Sequence, residues 1–217
     1  MKPIVCCVTG REALGSPDSL EKRMATIRAA IAAGVDWVQI REHEMTAREL
    51  LALATAAIDA AGSRAQILVN DRLDVALAAG AAGVHLRGSS IPPDRAVSWL
   101  RAGNARPEFL VGVSCHRLED VRQAEAAGAS YVFFGPVFRT PSKKEFGPPQ
   151  GLARLSEVCR SARIPVIAIG GLSGERGVEC VRAGASGIAA IRMFQELGEP
   201  ELRSAVERIH RGGEGRG

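Results

Sequence analysis

Polar and titratable residues collect where strand-like runs end, and the first such group is Gln39, Arg41 and His43. Alternate residues of an extended segment share a face, so an amide, a guanidinium and an imidazole can point together from Gln39-Ile40-Arg41-Glu42-His43. Such a trio suits recognition of a small anion. Asn70-Asp71 ends another run and reads either as a ligand-facing pair or as ordinary helix caps. Further along come His85-Leu86-Arg87 with Gly88-Ser89-Ser90, then Ser114-Cys115-His116, then Gly170-Gly171-Leu172-Ser173. His116 is the candidate general acid–base, because an imidazole titrates near neutral pH. Cys115 beside it faces the other way along a strand, so a Cys–His nucleophilic pair is not expected. Gly170-Gly171, ahead of a helix beginning near Ser173, would let the backbone approach a phosphate and offer it free N–H groups. A tight turn would use the same two glycines.

Between Tyr131 and Gly151 an apolar run opens into a long segment, YVFFGPVFRTPSKKEFGPPQG. No helical period continues through it. Arg139, Lys143 and Lys144 give it positive charge, and Gly147-Pro148-Pro149 stiffens its return. A loop of this length inside a compact domain commonly serves as a lid or binding loop. Its lysines would complement a phosphate held near Gly170 and Gly171.

Composition narrows the function classes. The chain has 217 residues, of which 46% are apolar, enough for a sizeable core. It contains no apolar run long enough to span a membrane, and MKPIVCCVTG enters a strand too early for a signal peptide. A cytoplasmic protein with no membrane partner is therefore expected. Five cysteines without C-x-x-C spacing fit reduced thiols rather than a disulfide framework or a zinc site. The net charge of +4 alone would suit nucleic acid, but arginines are dispersed and aromatics make up only 4%. A small anionic substrate fits better than nucleic acid.

These residues need a scaffold that gathers strand ends, and the chain supplies one. Apolar runs at Ile4–Thr9, Asp36–Glu42, Gln66–Asn70, Gly83–Leu86, Leu110–Cys115, Tyr131–Gly135, Pro165–Gly170 and Gly187–Arg192 alternate with Ala-rich segments of helical period. Strict alternation predicts a parallel sheet covered by helices. An internal echo, AAGVDWVQI, AAGAAGVHL, AAGASYVFF and RAGASGIAAI, repeats every second unit and marks helix ends at Gly34, Gly80, Gly128 and Gly184. Four repeats of two βα units make eight strands, which close as a single-domain (β/α)8 TIM barrel over residues 1–210. A doubly wound sheet is the second choice, and no G-x-G-x-x-G follows the first strand. Residues 211–217, rich in glycine, are expected to be a disordered tail.

Taken in order, VQIREHE, LVNDRLDVALAAGAAGVHLR, VGVSCHRLEDVRQAEAAGASYVFFGPVFRTPSKKEFGPPQGL and IPVIAIGGLSGERG resemble the thiamin-phosphate synthase/TenI family over nearly the whole chain. The resemblance implies a barrel that binds a small phosphorylated thiazole. Two activities share the family. The synthases join a pyrimidine diphosphate to thiazole phosphate, with Mg2+ holding the departing pyrophosphate. TenI-type proteins move a proton to convert one thiazole carboxylate phosphate tautomer into the aromatic one, a reaction for which no cofactor is expected. By the same resemblance Gln39 and Arg41 match Q-x-R-x-K, Asn70 and Asp71 match the metal-side pair, and Thr140 and Lys143 match T-x-[ST]-K.

Three positions depart from the synthase pattern. His43 stands where lysine is usual, Ser90 where a second metal carboxylate is expected in HLGQED, and Arg192 where serine is usual near the end of strand eight. Mg2+ prefers carboxylate and phosphate oxygens, so Ser90 leaves Asp71 as the one carboxylate at that place. His116 matches the histidine credited with TenI proton transfer. The sequence therefore puts a thiazole tautomerase first, a synthase with a modified metal site second, and a catalytically silent thiazole-phosphate binder third. It does not fix the oligomeric state, a homo-oligomer included.

Overall fold

A computed structural model describes residues 2–10, 20–88, 90–140 and 148–212. Eight parallel strands close on themselves in sequence order, β1 to β8, and β8 pairs back onto β1. They are β1 Ile4–Val8, β2 Trp37–Ile40, β3 Gln66–Asn70, β4 Gly83–Leu86, β5 Leu110–Cys115, β6 Tyr131–Phe134, β7 Val166–Ile169 and β8 Gly187–Ala190. Around them run α1 Leu20–Ala32, α2 Ala47–Ala61, α3 Leu73–Ala78, α4 Pro93–Trp99, α5 Leu118–Ala126, α6 Gly151–Ser161, α7 Gly174–Arg182, α8 Arg192–Glu196 and α9 Glu199–Arg211. The expected single-domain (β/α)8 barrel is the observed fold.

The strands are short, mostly buried and rich in Val, Ile, Ala and Phe, as strands covered on both faces must be. Alternation then sorts their residues between two apolar regions. One, between barrel and helices, takes Cys7, Val38, Ile40, Val69, Val84 and Phe134, together with the small inner faces of the helices, such as Ala54, Ala57 and Ala61 of α2. The other fills the barrel with Cys6, Val8, Trp37, Leu68, Tyr131, Phe133, Ile167 and Ala189. Cys6 and Cys7 are thus packing residues on opposite faces of one strand. Trp37 and Tyr131 meet inside with ring centroids 4.8 Å apart. Gly112, registered with Tyr131, leaves room for that ring, since a Cβ there would stand 2.1 Å from Cζ of the tyrosine.

Helix ends follow the cues in the sequence. Thr46 and Glu49 form a capping box on α2, the Glu49 carboxylate accepting from the Thr46 N–H at 2.8 Å. Gly34, Gly80, Gly128 and Gly184 all have positive φ, the conformation that the repeated AAG/RAG motif requires.

Two boundaries differ from expectation. β8 ends at Ala190, and Arg192 opens the short helix α8 instead of finishing the strand. Met193 and Phe194 of α8 are buried, so this apolar stretch continues the core from a helix. At the C-terminus, α9 includes Arg211, inside the segment expected to be a disordered tail. Residues 213–217 of that tail lie outside the described residues.

Candidate active site

The strand ends open onto one cavity of about 1120 Å3 lined by Gln39, Arg41, Asn70, Ser90 and His116 among others. The register explains this convergence. Gln39 pairs with Leu68, Asn70 with His85, and Ser114 with Phe133, so inward residues of successive strands climb the barrel as a spiral.

The floor is a polar network built on aromatics. His85, 1% exposed, contacts the Tyr131 hydroxyl through Nδ1 at 3.1 Å and the Ser114 hydroxyl through Nε2 at 2.9 Å. Its ring lies 4.2 Å from that of Phe133, centroid to centroid. Beside it, the Gln39 amide donates to Asn70 Oδ1 at 2.9 Å. Gln39 Oε1 is buried and accepts no hydrogen bond among the described residues, which leaves one acceptor to be satisfied.

Arg41 and His43 lie just past β2, on a turn fixed from below. Thr9 at the end of β1 accepts from the Arg41 N–H at 2.9 Å and donates to the buried Glu42 at 2.5 Å. Arg23 of α1 pairs with the other Glu42 oxygen at 2.9 Å. Sequence reading passed over Glu42, although a buried carboxylate alternating with Arg41 and His43 has to face the opposite way. Partial burial, followed by the charges of Arg41 and Arg87, holds the His43 imidazole below its ordinary pKa, against a smaller opposing pull from Asp71.

Asp71 has φ 63, a left-handed conformation that few residues other than glycine adopt, with Asp and Asn among the exceptions. One of its carboxylate oxygens accepts from the Ser90 hydroxyl, and the other pairs with the Arg87 guanidinium. Partial burial raises the carboxyl's pKa, but the Ser90 hydrogen bond and the Arg87 charge outweigh it and hold Asp71 below the ordinary carboxylate value. The family resemblance implies Mg2+ here. The residues present do not fit it well: a hydroxyl replaces the second carboxylate, and a guanidinium already neutralises the first. Among the described residues no group of three or more His, Cys, Asp or Glu side chains could hold a metal.

His116 sits at the end of β5, held from two sides. Asp120, in the first turn of α5, accepts from the His116 N–H at 3.0 Å and the Arg117 N–H at 2.9 Å. The ring Nδ1 lies 2.5 Å from the Gly135 carbonyl, which can only accept. A neutral ring therefore carries its proton on Nδ1 and its lone pair on Nε2. Cys115 next to it is buried, and desolvation, then the Asp120 charge, pushes its thiol up to about 12, which removes it as a nucleophile at neutral pH.

The remaining expected residues lie around the rim. Gly170 and Gly171 have φ of +102 and +66, and a Cβ would stand 2.6 Å from Pro136 at the first and 2.7 Å from the Arg139 carbonyl at the second. These glycines let the base of the long loop cross over the end of β7, where Phe138 N–H donates to the Gly170 carbonyl at 3.0 Å. Thr140 is half-buried at the end of the outgoing arm, and Lys143 lies outside the described residues. Arg192 is exposed on α8, with Nε 4.0 Å from Glu196. Among the described residues, His43, Asp71, Thr140, Gly170, Gly171 and Arg192 are not part of the cavity wall itself. Arg87, absent from the expected set, is.

Comparison with known proteins supplies what geometry alone does not. The family described as "Thiamine monophosphate synthase" (TMP-TENI) matches residues 5–194. A protein of Geobacter sulfurreducens, provisionally named a thiamine-phosphate synthase, is 42% identical over 205 residues, covering 93% of this chain and 90% of its own. The thiamine-phosphate synthase of a Roseiflexus species is 36% identical over 209 residues, covering 95% and 84%. The solved thiamine phosphate pyrophosphorylase of Pyrococcus furiosus superposes with a TM-score of 0.78 at 29% identity, covering 97% of this chain and 95% of its own. With most of its length matched by the family and by such relatives, this chain belongs to the thiamin-phosphate synthase family of thiamin biosynthesis.

Proposed function

We propose that the protein is a thiamin-phosphate synthase, joining a pyrimidine diphosphate to thiazole phosphate. In that displacement the thiazole nitrogen forms a bond to the pyrimidine's methylene carbon as its bond to the diphosphate oxygen breaks. Pyrophosphate leaves with the electron pair, and no proton has to move. The sequence alone ranks a tautomerase first; the synthase names of the relatives support the reverse order. The observation that carries the reading is the family match over residues 5–194, together with the synthase names of relatives 42% and 36% identical. The cavity of about 1120 Å3 extends from the strand ends along α4 and α5 and is ample for a phosphorylated substrate.

The chain's own residues divide the work. Gln39 Oε1, a buried acceptor with no partner among the described residues, suits an N–H donor such as the amino group on a pyrimidine, and Asn70 holds the Gln39 amide through its N–H. Arg41 and Arg87 bring positive charge to the wall where the diphosphate lies. The rim glycines Gly170 and Gly171, with Arg192 near the end of β8, are assigned to the thiazole phosphate, and the family resemblance adds Thr140 and Lys143 to that site.

A tautomerase remains the second reading because of one observation: His116 is oriented for proton transfer by Asp120 and the Gly135 carbonyl. Supplying pyrimidine diphosphate and thiazole phosphate, with and without Mg2+, and measuring thiamin phosphate separates the two. Turnover at about 1 per second or faster is expected. No thiamin phosphate, with thiazole carboxylate phosphate isomerised instead, would establish the second reading.

A further inference from the structure

The disagreement between the implied metal and the residues at Asp71 has a consequence for how the diphosphate is held. Asp71, Arg87 and Ser90 form a closed set. Arg87 pairs with one Asp71 oxygen and the Ser90 hydroxyl donates to the other, while Ser90 Oγ accepts from the Arg87 N–H at 2.7 Å. The loop after β4 is thereby folded onto the turn after β3, and a guanidinium lies against the carboxylate where the resemblance implies a cation. Charge is consistent with an exchange of one cation for another. A dication on two carboxylates and a guanidinium on one both leave the protein side neutral. Arg87 lines the cavity with its side chain 42% exposed. Its fork carries five N–H donors, more than one carboxylate can take up, and guanidinium forks match phosphate oxygens in pairs.

We propose that Arg87 replaces the divalent cation: its guanidinium, positioned by Asp71 and Ser90 and assisted by Arg41, binds the diphosphate of the substrate directly, so pyrophosphate binds this protein without magnesium. The proposal rests on the synthase reading for the identity of the anion. Asp71 and Ser90 are positioning residues in it, not metal ligands.

Calorimetric titration of inorganic pyrophosphate into the full chain, once in EDTA and once with Mg2+, tests it. The parent should bind in EDTA, with saturating Mg2+ improving affinity less than about threefold. Arg87→Met should weaken metal-free binding at least tenfold, since a charge-assisted contact to phosphate contributes about 1.5–3 kcal/mol and 1.4 kcal/mol is tenfold. Arg87→Lys, which keeps the charge but not the fork, should fall between them. Parent binding that requires Mg2+ and ignores Arg87→Met would overturn the proposal and leave the synthase reading standing. Metal-free binding that Arg87→Met does not weaken would overturn it too, by moving the anion to other cations. No binding of pyrophosphate in either condition would overturn both.

Discussion

At the scale of single residues, the site separates groups that could move a proton from groups that hold charge. Among the described residues we propose His116 for any proton transfer, with Nδ1 against the Gly135 carbonyl and its backbone N–H on Asp120. A general acid–base contributes about 10²–10⁴-fold. His116→Asn should therefore lower any tautomerisation by ~10²-fold or more, while coupling, in which no proton moves, should fall less than ~10-fold. Thiazole phosphate affinity should change only a few-fold in either assay. A loss of coupling as large as that of tautomerisation would mean that His116 acts on the bound substrate in some other way than by proton transfer. The charge-holding groups permit a complementary experiment. Ser90→Asp combined with His43→Lys restores the second carboxylate and the lysine of the synthase pattern. This double variant should bind Mg2+–pyrophosphate more tightly than the parent by calorimetry, and equal affinity would show that Arg87 still governs the Asp71 side.

At the scale of elements, the loop between β6 and α6 is tied down where it leaves and where it returns. Val137 N–H donates to the Ile169 carbonyl at 2.9 Å, and Gln150 N–H to the Pro136 carbonyl at 2.8 Å. Gly171 makes the crossing feasible. Gly171→Ala introduces a Cβ 2.7 Å from the Arg139 carbonyl at a φ of +66, so it should destabilise the protein by about 1–3 kcal/mol. It should also weaken thiazole phosphate binding, as denaturant unfolding and titration would measure; parental values for both would mean that the loop base shifts without strain. The strands and most helices were legible in the sequence because a period of two alternates with a period near 3.6, and the AAG/RAG repeats mark the helix ends. α8 was not, since Met193 and Phe194 directly follow the apolar run of β8 and no side chain caps the five-residue helix. Gln39, Arg41 and His116 could be read because each ends a strand. The His85, Tyr131 and Ser114 floor could not, because its members come from three strands and only barrel closure brings them together. Asp120 was within reach as an acid in the first turn after a strand-end histidine, and Arg87 as the cation following His85.

At the scale of the whole molecule, closure depends on the end of the barrel opposite the cavity. Asp36, just ahead of β2, accepts from the Val5 N–H at 2.8 Å, pairs with Lys2 at 2.7 Å, and contacts His210 of α9 at 2.8 Å. One carboxylate thus joins the first strand, the second strand and the last helix. Burial raises its pKa, but the contacts with His210, Lys2 and the Val5 N–H outweigh burial and hold Asp36 below its ordinary value of 3.8. A carboxyl depressed on folding contributes stability that is fully present above its unfolded pKa and is lost as pH falls through the folded one. Asp36→Asn should then cost about 1–3 kcal/mol at pH 7, lowering the melting temperature by roughly 2–4 °C per kcal/mol for a domain of this size. Pyrophosphate affinity, set at the far end of the barrel, should be unchanged. Because the parent loses the same contribution in acid, the gap between the two melting curves should narrow once pH falls below about 4. A gap that stays constant from pH 7 to pH 3 would mean that the geometry of Asp36 matters here and its charge does not.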